Sequence, residues 1–171
     1  MEMQAVWAGA QSDPHRANAI FRQSLGDLPF ANMPLSADFS RVLTGPSGRN
    51  MYADFRPDVD WPTQYGISYR TIATNIVAQT RERRPAVPVL CTITHNHYCY
   101  RDRGDPVYGR LRTMLDEMMA ACHAAGVKAV GVTLREVADE VLALPPVQQP
   151  FVCEGAIFDL AAGRAELGHV G

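Results

Sequence analysis

The stretch Val87-Pro88-Val89-Leu90-Cys91-Thr92-Ile93, continuing as Thr94-His95-Asn96-His97-Tyr98-Cys99-Tyr100, decides how this chain is read. Val87 to Ile93 is a short apolar run with β-branched side chains, which predicts a buried strand. A helix is predicted on either side of it. Ser68 caps the first, and Tyr69, Ile72, Ala73, Ile76 and Val77 recur on one face. Pro85 and Pro88 end that helix. Asp105-Pro106 opens the second, with Val107, Leu111, Met114, Leu115, Met118, Cys122 and Ala125 on one face and Gly126 as its stop. Val127 to Val132 predicts another strand. Thr133 with Glu136 forms a capping box for a third helix along Leu134, Val137, Val141 and Leu142, ended by Pro145-Pro146. Helix, strand, helix, strand, helix is the order of an α/β fold with parallel strands and right-handed crossovers.

Outward from that centre the pattern weakens. Ser12 or Asp13 with Pro14 predicts a helix along Ala17, Ile20, Phe21 and Leu25, stopped by Gly26. Leu28 to Gly66 is rich in Pro, Gly, Asn, Asp and Ser and predicts irregular structure with short strands, turning at Thr44 to Gly48. Phe151 to Leu167 predicts a hairpin turning at Ala162-Gly163-Arg164. The division expected is an α/β domain over 1–146 and a C-terminal tail over 147–171.

The chain has 171 residues, enough for one domain of ordinary size. A formal charge of -2 gives no electrostatic footprint for nucleic acid or anionic lipid. The one basic run, Arg81, Arg83 and Arg84, reads as the solvated end of a helix. No apolar stretch approaches the ~20 residues that span a bilayer. Glu2 stands where a signal peptide would carry positive charge, so the expected location is cytoplasmic. Cys91, Cys99, Cys122 and Cys153 match neither a disulfide scaffold nor a CxxC zinc site, and reduced thiols are expected.

Chemistry is expected at the carboxyl end of the Val87 to Ile93 strand, where ligand sites of α/β folds collect. Extended backbone would put Cys91, His95, His97 and Cys99 on one face. Three readings are open: zinc held by His95 and His97, a metal-free catalytic histidine, or a histidine hydrogen-bonded to backbone with the cysteines packed. Asp60-Trp61 is the second feature. An aromatic ring can stack on a pyranose while the acid orients a histidine; the plainer reading is a turn acid beside a half-buried tryptophan.

Asp60-Trp61, the helix containing Ile72 and Asn75-Ile76-Val77, and Val89 to His95 together resemble the end of the polysaccharide deacetylase family of carbohydrate esterases. There an Asp-Trp pair precedes a helix, and the next strand ends in Leu-x-His; here Ile93-Thr94-His95 stands in that place. Leu111 to Ala124 resembles the family's amphipathic helix, Gly126 to Thr133 its last strand, and Leu134-Arg135-Glu136-Val137-Ala138 its closing helix start. The resemblance covers Asp60 to Val141, roughly half the chain. It implies a partial (β/α) barrel with parallel strands and flanking helices. It also implies hydrolysis of N-acetyl groups on amino sugars, with His95 and Asp60 as catalytic residues and Trp61, Asn96 and His97 against the carbohydrate.

The family's divalent metal, such as zinc, is held by an Asp-Asp pair and a His-x-x-x-His, and this chain has neither. No metal ligands are therefore assigned. The implied protein is truncated or degenerate and inactive alone, because metal both activates the water and stabilises the oxyanion. Two alternatives stand beside it: a non-catalytic carbohydrate-binding or interaction domain, and an amidohydrolase-like hydrolase using His95 and His97 as its metal pair. Half a barrel would leave open strand edges, which predicts a homodimer.

Overall fold

The computed structural model describes residues 13–17, 26–44, 50–95, 97–146, 156–159 and 164–167. The chain divides into two compact units, Leu35–Gly131 and a second made of Met1–Pro34 with Val132–Gly171.

In the unit Leu35–Gly131, strand β3 (Ala37–Thr44) and strand β4 (Asn50–Asp54) form an antiparallel ladder. Ala37 faces Asp54 and Asp38 faces Ala53; the register then shifts before Leu43 meets Met51 and Thr44 meets Asn50. Helix α1 (Trp61–Tyr65) is one short turn whose Asp60 cap accepts from the Thr63 N–H. Gly66 closes it at φ 66°, a left-handed conformation that glycine adopts without a Cβ clash. Helix α2 (Tyr69–Arg83) begins at Ser68, as its sequence dictates, and buries Tyr69, Ile72, Ala73, Ile76 and Val77. Helix α3 (Pro106–Ala124) starts at Asp105-Pro106 and buries Val107, Met114, Ala121 and Cys122. These faces meet Ala53, Phe55 and Trp61 in one hydrophobic core.

The polar tie between sheet and helix is as specific as the apolar one. Asp38 is fully buried, and its carboxylate accepts from Asn75 Nδ2 (2.8 Å) and Gln79 Nε2 (3.0 Å), one turn apart on α2. Gln79 Oε1 in turn accepts from the Phe39 N–H.

The expected parallel sheet and partial barrel are not formed. Every strand pair described is an antiparallel two-stranded ladder. Val87 to Ile93 and Val127 to Val132 are irregular rather than strands. Val87 is buried and Leu90 packs against the core, but Ile93 is 46% exposed. Pro85 and Pro88 cannot donate to a ladder. The run is tied at Cys91, whose carbonyl accepts from the Ser36 N–H while its own N–H donates to Ser36 Oγ, a side chain. Apolar β-branched residues suit a pleated surface only where neighbouring strands supply one. None flanks this run among the described residues, and Val130 is 66% exposed.

In the other unit, strand β1 (His15–Arg16) pairs with strand β2 (Ala31–Asn32), where the sequence predicts the first turn of a helix. The rest of that predicted helix, 18–25, lies outside the described residues. Helix α4 (Leu134–Ala143) carries the expected capping box between Thr133 and Glu136 and buries Val137 and Val141, while Leu134 is exposed. Arg16 spans its far end. Nε donates to the Leu144 carbonyl at 3.3 Å and Nη2 to that of Leu142, a cation against the negative end of the helix dipole. Strands β5 (Ala156–Asp159) and β6 (Arg164–Leu167) pair antiparallel with Asp159 facing Arg164, a residue that the sequence predicts in the turn; residues 151–155 and 160–163 lie outside the described residues. No helix among the described residues is long and apolar enough to cross a membrane.

Candidate functional site

The strip Asp54-Phe55-Arg56-Pro57-Asp58-Val59-Asp60-Trp61 leaves the end of β4 and enters α1. Phe55, Pro57 and Trp61 are buried, and Asp54, Arg56, Asp58, Val59 and Asp60 are only partly so. The strip bends at Phe55 and Val59 and turns at Pro57-Asp58, and its four ionisable side chains keep a solvent-facing side.

His95 meets this strip at Asp58. Its Nδ1 lies 2.5 Å from Asp58 Oδ2, with the histidine side chain 47% exposed and the aspartate 12%. Against an ionised carboxylate Nδ1 carries the proton, which leaves Nε2 as the free ring nitrogen. Thr92, three residues before His95, donates its hydroxyl to the Phe55 carbonyl and joins the two segments. The expected partner of His95, Asp60, is two residues further on and does other work. It caps α1 and lies 3.9 Å from Arg110 Nη1.

Trp61 is completely buried, 5.2 Å from the Tyr65 ring, so it offers no face to a sugar. Another group of rings lies elsewhere, with His95 and His97 exposed and Tyr98 and Tyr100 half-buried. His97 stacks 5.3 Å from His95 and 4.2 Å from Tyr98, and Tyr98 meets Tyr100 edge-on at 6.4 Å. Asn96 lies outside the described residues. The signal for this chain of rings is plain in the sequence: four of the six residues from His95 to Tyr100 carry one.

Asp54, at the start of the strip, has altered acidity. Burial pushes it up to about 6, and the nearby Arg56 only partly offsets this. Arg56 Nε is 2.8 Å from Asp54 Oδ1, but the contact is too poorly aligned to complete a hydrogen bond. Burial also raises the Cys91 thiol, so it resists ionisation.

No group of three His, Cys, Asp or Glu side chains among the described residues could hold a metal ion. His95 and His97 are adjacent, but His95 Nδ1 is taken by Asp58 and no third ligand joins them. The donor set therefore does not fit the catalytic metal of the deacetylases, nor the metal pair of an amidohydrolase. No protein-family model, curated protein or solved structure matches this chain.

Proposed function

We propose that Asp58 and His95 form the acid–base dyad of a hydrolase-like protein that recognises N-acetylated amino sugars, and that this chain alone releases no acetate. The observation that carries this reading is the 2.5 Å contact between His95 Nδ1 and Asp58 Oδ2, with the imidazole half-exposed. A carboxylate fixes the ring's orientation and tautomer and stabilises the imidazolium. The charged ring can then give its Nε2 proton to the departing amine nitrogen as the amide C–N bond breaks. Among the described residues no group of metal ligands stands ready to generate the attacking hydroxide, so that part of the step must come from elsewhere.

A second reading is favoured by the rings of His97, Tyr98 and Tyr100 beside the dyad: carbohydrate binding without hydrolysis. Aromatic faces stack on the apolar face of a pyranose whether or not a bond is cleaved. One experiment serves both. A chitin oligomer is titrated into the histidine-labelled full chain, and acetate is assayed in parallel with added zinc. Shifted His95 and His97 resonances without acetate support the proposal. Acetate release that vanishes in His95→Ala would make the chain an autonomous deacetylase. Unmoved resonances would remove the carbohydrate reading altogether.

A further inference from the structure

The Asp58 carboxylate is held in an unusual way. Oδ2 meets His95, while Oδ1 is buried and has no hydrogen-bond partner among the described residues. Among the described residues, no donor besides the imidazole itself locates the carboxylate. The backbone on either side of it is pinned instead. Arg110 Nε, from α3, donates to the Pro57 carbonyl at 2.6 Å, and the Tyr69 hydroxyl, from α2, donates to the Val59 carbonyl at 3.2 Å. The residues immediately before and after Asp58 are thus each gripped by a side chain from a different helix.

We infer that Arg110 and Tyr69 are positioning residues that set the Asp58 carboxylate under His95. The chemistry suits the task. The Arg110 guanidinium is a planar, permanently charged donor, and its 3.9 Å approach to Asp60 holds it on the strip without requiring a second strong bond. Burial pushes the Tyr69 hydroxyl up to about 12, so it remains a neutral donor wherever the protein is folded. Both helices are locked by the core through Tyr69, Ile72 and Met114, so the clamp is tied to rigid elements rather than to the loop it holds. The fold thereby converts two backbone contacts into side-chain geometry, with no donor among the described residues competing with His95 for Asp58.

This inference rests on the dyad reading, and the test separates the two. The full chain is labelled at histidine, and the His95 Nδ1 proton, its exchange with water and the ring nitrogen shifts are followed by NMR. The reference is Asp58→Asn, in which the slowly exchanging Nδ1 proton should disappear and the tautomers mix. Tyr69→Phe removes one hydroxyl and keeps the buried ring. Arg110→Met removes the other donor and keeps the aliphatic stem. Each is expected to speed Nδ1 exchange several-fold, and the double variant to reproduce the Asp58→Asn spectrum; Arg110→Lys should restore part of the protection. Amide spectra establish that each variant is folded, and Tyr69→Phe alone suffices if the double variant is not. Protection unchanged in the folded Tyr69→Phe and Arg110→Met chains overturns the clamp while leaving the dyad intact. An Nδ1 signal that ignores Asp58→Asn overturns the dyad itself.

Discussion

Asp38 and Asp54 sit on adjoining rungs of one two-stranded ladder, Asp38 opposite Ala53 and Asp54 opposite Ala37, and both are removed from water. Their acidities move in opposite directions. Burial opposes ionisation in both. At Asp38 it is outweighed by donors: the Ser40 N–H at 2.9 Å, Asn75 Nδ2 and Gln79 Nε2, which together hold the carboxyl below its ordinary value. At Asp54 the Arg56 guanidinium and a backbone hydrogen bond only partly answer it, and the carboxyl rises to about 6. Burial alone does not decide what a carboxylate does; the number and aim of the donors around it do. One ladder can therefore carry a structural anion on one rung and a group that titrates near neutral pH on the next.

The largest expected effect tests the structural member. Asp38→Ala strips the acceptor from Asn75 and Gln79 and should cost about 3–5 kcal/mol, measured by urea unfolding at pH 7. Its pH dependence follows from a lowered folded-state value: the stabilisation is complete above the ordinary carboxylate range and is lost as pH falls through the folded value. An Asp38→Ala chain as stable as the parent would mean that the network contributes nothing.

Asp54 should behave in the opposite sense. With a raised folded value, the folded chain binds more protons than the unfolded one between pH 3.8 and about 6, so stability declines as pH rises through that window. The decline amounts to roughly 3 kcal/mol at most. Asp54→Asn should flatten it, and a stability–pH curve equally steep in the variant would assign the titration elsewhere.

A third carboxylate sharpens the contrast. Asp60 caps α1, so Asp60→Ala should cost about 1 kcal/mol and leave the His95 Nδ1 proton in place. Loss of that proton in Asp60→Ala would restore Asp60 as the histidine's partner. At the bottom of the range, the exposed pair of Arg70 with Glu117 at 2.9 Å should tolerate Arg70→Ala with no measurable change in the unfolding midpoint.

Helices were the legible part of this fold. Ser68, Asp105-Pro106 and Thr133 with Glu136 each state a helix start within three residues, and α2, α3 and α4 begin where these signals place them. The strands were not legible in the same way. Val87 to Ile93 has strand composition, yet a strand exists only if another chain segment lies beside it, and no local pattern specifies that. His95 stands out in the sequence because it follows the apolar run Val87 to Ile93, which reads as a strand whose carboxyl end would hold a site; that run is irregular. Its carboxylate neighbour is Asp58 where Asp60 is expected, and two candidates two residues apart look equivalent in one dimension.

The sequence by itself determined what depends on neighbours along the chain: the caps that start α2, α3 and α4 and the buried stripe of α2. Tertiary structure alone decided which carboxylate meets His95, which carbonyls Arg110 and Tyr69 grip, and why Asp38 stays charged while Asp54 resists ionisation. Capping bonds and helical periodicity act over three or four residues, whereas the contacts of Asp38 with Asn75, Asp58 with His95 and Pro57 with Arg110 join positions 37 to 53 residues apart. At such separations the pairing is set by how packed helices and a ladder bring segments together, and the same side chains in another packing would have other partners.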